Sequence, residues 1–183
     1  MRRSIVGAAA VTLCGLSLAG CVDSVGPILP DSQPMFGERV RFQFYTLRKG
    51  FADEPEQASY KWTGGRYVHT GGGMRDVRSF SAHPFESDSL IIQGTSAKRP
   101  RIAEYAVAFK LADGVFQAIG IDEDDADAAT RAAHCKKTDH SGCRIETREQ
   151  LLAFARATAA RHKGEGGLVI RLADGVQKPP RQR

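Results

Sequence analysis

The chain has 183 residues, of which 42% are hydrophobic and 26% are charged. This composition excludes a membrane-spanning bundle and a disordered chain, and it predicts one soluble globular domain. The formal net charge of +5 is spread along the chain instead of concentrated in one block. We therefore expect no nucleic-acid partner.

The N-terminus has the three parts of a secretory signal peptide. Arg2 and Arg3 precede an apolar run from Ile5 to Leu18, and small residues end it at Ala19-Gly20. A transmembrane helix needs about 20 consecutive apolar residues, and this run is shorter. We therefore expect residues 1–20 to direct export and to be removed.

Leu18-Ala19-Gly20-Cys21 resembles the lipobox of bacterial lipoproteins. The resemblance implies cleavage before Cys21, with a diacylglycerol on its thiol and an acyl chain on its amine. Several acyl chains hold a protein permanently in a bilayer, because each buried methylene adds about 0.8 kcal/mol. Cys14 fits the motif poorly, because it follows the bulky Leu13 where the family needs a small residue.

The residue after Cys21, the lipid acceptor, indicates to which membrane the lipoprotein is sorted. In the family, an aspartate at this position retains the protein at the inner membrane, whereas this chain has Val22. The resemblance therefore implies an outer-membrane lipoprotein that faces the periplasm, with the inner membrane and the cell surface as alternatives. The covalent lipid on Cys21 is the only bound group we expect.

Composition divides the mature chain into three parts. Residues 21–37 contain the lipidated cysteine and three prolines without helical or strand periodicity, and they are expected to form an extended tether. Residues 38–175 form the single domain. Residues 176–183 are basic and lack a hydrophobic pattern, so we expect a disordered tail.

Most of the predicted secondary structure follows from hydrophobic and polar residues that alternate with a period of two, as in a β-strand. Val40, Phe42 and Phe44 fall on one strand face, and Tyr105 to Leu111 repeats the pattern before an Asp113-Gly114 turn. A two-residue turn there would place Leu111 opposite Phe116. Further strands are predicted at residues 59–63, 66–70, 76–82, 89–95 and 168–172.

The helical predictions lie in the last third of the chain. Thr147 and Gln150 form a capping box at the start of a helix from Thr147 to Lys163, and a shorter helix covers roughly residues 124–134. Together these patterns predict an α+β fold. In it, a curved antiparallel meander of about six to eight strands packs on the C-terminal helix, with the short helix and a disulfide loop before that helix.

Cys135 and Cys143 are the cysteines left after the signal peptide and the lipidation site. In an exported protein the expectation is a disulfide bond. The alternative is a zinc site made by His134, Cys135, His140 and Cys143. Adjacent residues such as His134 and Cys135 converge poorly on one ion, so the spacing favours the disulfide and no metal.

No catalytic site can be assigned from the sequence. Ser81, His83, Glu86 and Asp88 have the side-chain types of a catalytic triad, but proximity along the chain does not create the geometry. We therefore expect a noncatalytic binding or envelope-structural module, with an envelope protein or peptidoglycan as candidate partner. The alternative is an enzyme acting on envelope glycans or lipids, in which His83 or His69 would lie beside a carboxylate.

Overall fold

The structure is a computed structural model that describes residues 22–48, 51–52, 54–73, 76–137, 142–162 and 167–173. The signal peptide, Cys21, His140 and the basic tail lie outside these ranges, so the predictions on them stay predictions. The strands are β1 (Val22–Val25), β2 (Arg39–Arg48), β3 (Phe51–Ala52), β4 (Glu56–Thr63), β5 (Arg66–Gly72), β6 (Val77–Pro84), β7 (Ser89–Ser96), β8 (Ile102–Ala112), β9 (Val115–Gly120), β10 (Lys136–Lys137), β11 (Cys143–Arg144) and β12 (Leu168–Leu172). The helices are α1 (Ala128–His134) and α2 (Arg148–His162), and a short 3-10 helix, Glu123–Asp125, precedes α1.

Eight strands form a closed antiparallel barrel in the order β2, β4, β5, β6, β7, β8, β9, β12. The barrel closes at β12, which pairs with β9 through Leu168 and Ala118 and with β2 through Leu172 and Phe42. The expected α+β meander packed on a helix is therefore wrong. The positions of the eight barrel strands were predictable, but alternation says nothing about the partner of a strand that is distant in the chain.

The β8–β9 hairpin has the predicted turn but a different register. Ala112 pairs with Val115 across Asp113-Gly114, and Gly114 has a φ of 72°, a conformation that glycine adopts without strain. An irregularity before Ala112 then pairs Lys110, and not Leu111, with Phe116. Leu111 is left 55% exposed, as expected for the extra residue of a β-bulge.

Hydrophobic cores lie on both sides of the barrel wall, and the described residues form one outer cluster and two inner clusters. The inner core includes Phe42 and Phe80 inside the barrel. The outer core is formed where Phe154 of α2 packs with Tyr105 and Val107 on the outer face of β8. Because β8 also directs Ala108 into the barrel, both of its faces are buried. The sequence pattern predicted one buried face only.

The N-terminal end of α2 confirms the predicted capping box. The backbone N–H of Gln150 donates to Thr147 Oγ1 at 3.3 Å, and the N–H of Thr147 donates to Gln150 Oε1 at 3.1 Å. Two otherwise unpaired N–H groups are thereby satisfied. Among the described residues, no helix combines the length and the apolar character that crossing a membrane requires.

The described residues of the expected tether are part of the folded domain. Strand β1 pairs with β8 and, in parallel, with β11, and Val22 is 0% exposed. The following segment crosses β7, where Gln93 Oε1 accepts hydrogen bonds from the N–H groups of Ile28 and Leu29, both at 2.9 Å. Prolines exclude regular helix and strand here, but they do not prevent backbone groups from binding a buried side chain.

Candidate functional site

A cavity of about 330 Å³ lies inside the barrel. Eight strands form a barrel just wide enough either to be filled by side chains or to hold one small molecule. This volume is about twice that of an engineered 150 Å³ cavity that binds benzene. The walls are aromatic and aliphatic, and they include Phe42, Phe44, Phe80, Ile92 and Ile170.

The barrel core is less completely packed than the core beneath α2. Inward-facing Ile92, Phe116 and Ile170 remain partly exposed, although they pack against the inner core. In the outer core, Leu151 and Phe154 are both 0% exposed. The barrel therefore keeps unoccupied apolar space, a feature that protein interiors normally avoid.

Phe36 lines one end of the cavity. Its ring centroid lies 5.4 Å from that of Phe42 and 5.7 Å from those of Tyr67 and Phe116. The Phe36 N–H donates to the Tyr67 hydroxyl at 2.7 Å, and this hydroxyl donates to the Gly37 carbonyl at 2.9 Å. Burial raises the pKa of Tyr67 to about 12, so the hydroxyl keeps its proton and both hydrogen bonds at neutral pH.

At the other end the cavity is lined by Gly120, Gly167 and Leu168. Gly167 has a φ of 79°, and a Cβ atom there would lie 2.5 Å from the Ala118 carbonyl oxygen. Only glycine fits this position. Ile121, directly after Gly120, accepts a hydrogen bond from the Val22 N–H at 3.4 Å, so the start of β1 lies beside this end of the barrel.

Ion pairs connect β1 to its surroundings. Asp23 accepts hydrogen bonds from Arg144 Nε at 2.9 Å and from Arg99 at 3.4 Å, and Arg99 also pairs with the buried Glu104. The partly buried Asp23 thus links the barrel, the hairpin after β7 and the disulfide loop. These bonds hold the first described residues against the domain.

The predicted disulfide between Cys135 and Cys143 is confirmed, with a Cα–Cα distance of 5.1 Å. Within the described ranges, the group that comes close enough to hold a metal is Glu123 with the two cysteines. It does not include His134, and His140 lies outside those ranges. The two sulfur atoms are bonded to each other, so the four-residue zinc site is not assembled in this structure.

Two of the four triad-type residues come together. Ser81 Oγ lies 2.8 Å from His83 Nε2, whereas Glu86 accepts a hydrogen bond from Arg156 at 3.1 Å. Ser81 is only 5% exposed, and burial together with nearby Arg148 lowers the pKa of His83. The partner of the His83 ring is the Ser81 hydroxyl, and among the described residues no carboxylate hydrogen-bonds to this imidazole as an acid–base pair requires. His69 lies against the ring of Tyr60, and its Nε2 is 3.1 Å from the Gly73 carbonyl oxygen.

Sequence reasoning placed aromatic residues in the core but did not indicate a cavity. Alternation predicted the buried face of Val40, Phe42 and Phe44, whereas nothing marked Phe36 or Tyr60 as part of a site. The density of aromatic residues between positions 36 and 80 was the available signal. Comparison with known proteins gives no match for this chain among family models, curated proteins or solved structures.

Proposed function

We propose that this protein is a noncatalytic binding protein that holds one small apolar molecule inside its barrel. The observation that carries the proposal is the cavity of about 330 Å³ with apolar walls. Small-molecule sites are typically concave, mostly apolar and 300–1,000 Å³ in volume. An ion would gain nothing from these walls and would lose its hydration, so the proposed ligand is uncharged.

The proposal includes attachment to the outer membrane through a lipid on Cys21, with the domain facing the periplasm. Support comes from the position of β1, because Val22 is buried and lies next to Ile121 beside the cavity end. With no free tether after Cys21, its acyl chains would hold this end of the barrel near the bilayer. A bilayer is a source of apolar molecules for such a site.

Binding can be tested with N-phenyl-1-naphthylamine, an apolar dye that becomes fluorescent when it leaves water. Residues 22–183 contain every contact described above, and they can be used without detergent. We expect saturable binding with a Kd on the order of micromolar. Ala108→Phe, which adds a ring to a buried cavity wall, should weaken binding at least tenfold because it removes the space.

The matched control is Ala133→Phe, the same substitution at an exposed position of α1. It should bind the dye as the unmodified protein does. Absence of saturable binding, or equal binding by the Ala108→Phe protein, would show that the barrel is not the site. Circular dichroism of both variants checks that they remain folded.

The anchor is tested separately with the full chain in bacterial cells. Cys21→Ser removes the acceptor thiol, so we expect the protein to move from the membrane fraction to the soluble periplasmic fraction and to lose labelling by radioactive palmitate. Cys14→Ser is the matched control and should leave both properties unchanged. Membrane fractionation and labelling that survive Cys21→Ser would contradict the lipidation site.

A further inference from the structure

Tyr60 is the only residue with a polar side chain among the described residues that line the cavity. Its ring packs against those of Phe80 at 5.0 Å, His69 at 5.4 Å and Phe42 at 6.0 Å. The residue is 2% exposed. A phenol hydroxyl is thus held in a wall that is otherwise apolar.

The Tyr60 hydroxyl forms no hydrogen bond with another described residue. The other three tyrosines of the chain all do. Tyr67 bonds to the backbone of Phe36 and Gly37, Tyr105 bonds to Ser24 Oγ at 2.5 Å, and Tyr45 donates to Gln43 at 3.2 Å. The Tyr60 oxygen is not one of the fully buried unpaired side-chain atoms of the described residues, so it keeps some accessible surface. A hydroxyl that is accessible and has no partner in the protein is available to a molecule that enters the cavity.

Its immediate neighbours do not supply the missing partner. Phe42 and Phe80 have no polar side-chain atom, and His69 already has its Nε2 atom 3.1 Å from the Gly73 carbonyl oxygen. Burial also raises the pKa of Tyr60, so the hydroxyl keeps its proton and can donate at physiological pH.

We propose that the Tyr60 hydroxyl donates a hydrogen bond to an oxygen atom of the bound molecule. The ligand class is thereby narrowed to uncharged apolar molecules with an oxygen acceptor, such as ketones and esters. A hydrocarbon of the same shape fills the space but leaves the hydroxyl unpaired, whereas a carbonyl compound satisfies it. This inference rests on the proposed binding function of the barrel.

The test uses hexanophenone and hexylbenzene, which differ only in a carbonyl group in place of a methylene group. Each is used to displace N-phenyl-1-naphthylamine from residues 22–183. Tyr60→Phe removes one oxygen atom and should weaken hexanophenone binding about fivefold to tenfold. It should leave hexylbenzene binding unchanged within about twofold, because the ring and its packing remain. Tyr45→Phe, which removes a hydroxyl outside the cavity lining, should change neither affinity.

The outcomes separate the two claims. If both ligands bind the unmodified protein and Tyr60→Phe changes neither affinity, or weakens both equally, the role of Tyr60 is wrong while the binding function stands. If the unmodified protein binds neither the dye nor the two ligands, the binding function fails, and the assignment of Tyr60 fails with it. A selective loss of hexanophenone affinity supports both.

Discussion

Phe154→Ala is expected to lower the free energy of unfolding by about 3–5 kcal/mol, the range for truncating a buried aromatic side chain. Phe154 is 0% exposed and belongs to the outer core with Tyr105, Val107 and Leu151. Alanine would leave a cavity between α2 and the outer wall of the barrel. Urea denaturation followed by circular dichroism measures the change.

The same variant also tests whether the outer core contributes to ligand binding, which the proposal assigns to the interior of the barrel. Because Phe154 lies outside the barrel, dye binding by the folded fraction should remain close to that of the unmodified protein. Arg156→Ala is the control on the same helix, since Arg156 is exposed and makes an ion pair with Glu86 that should contribute less than about 1 kcal/mol. Equal destabilisation by both variants would contradict the assigned packing of α2.

Replacing Cys135 and Cys143 together with serine should cost about 2–3 kcal/mol of stability. The bond closes a loop with a sequence separation of 8, so its loss increases the entropy of the unfolded chain. Cys143 also pairs with Val22, so the freed loop would loosen the contact that holds β1. Urea denaturation under oxidising conditions measures the effect.

Reductant provides the control for the disulfide prediction. With dithiothreitol present, the unmodified protein and the double variant should unfold at nearly the same urea concentration, because neither then has the cross-link. A difference that persists in reductant would mean that serine damages the packing of buried Cys143 itself. No difference without reductant would mean that the bond adds no stability.

The outer core and the disulfide support the same region of the molecule. Strand β1 lies between β8 and β11. Its residue Asp23, which follows Cys21 by two positions, forms an ion pair with Arg144. If Cys21 is lipidated as proposed, the contacts of β1 in this region would hold the barrel in a fixed position relative to the lipid anchor. The proposed orientation of the cavity relative to the bilayer therefore depends on it.

Local signals in the sequence identified many of the elements. The capping box of Thr147 and Gln150 fixed the start of α2, and Asp113-Gly114 identified a tight turn, because both depend on residues within a few positions of each other. The strand predicted at residues 168–172 has the bounds of β12. The disulfide followed from the number of cysteines and the expected compartment.

Other features depended on contacts that no local pattern encodes. Val22 and Leu29 lie in a proline-rich stretch, but they are buried because β8 offers a free strand edge and Gln93 offers a buried acceptor. The bulge at Leu111 shifts the register by one residue, which a count across the turn cannot reveal. The sequence did not distinguish Tyr60 from the other aromatic residues, because its place in the cavity wall depends on neighbours that are distant in the chain.

The sequence alone therefore located the eight barrel strands, the two helices and the Asp113-Gly114 turn, because propensity, capping and alternation act over a few residues. Only the tertiary structure decided that β12 joins β2 to β9 and closes the barrel. Closure puts the alternating face of Phe42 and Phe44 around an interior cavity instead of against a helix. Whether that space is filled depends on how side chains from eight strands meet, and this is why the cavity emerged only from the assembled fold.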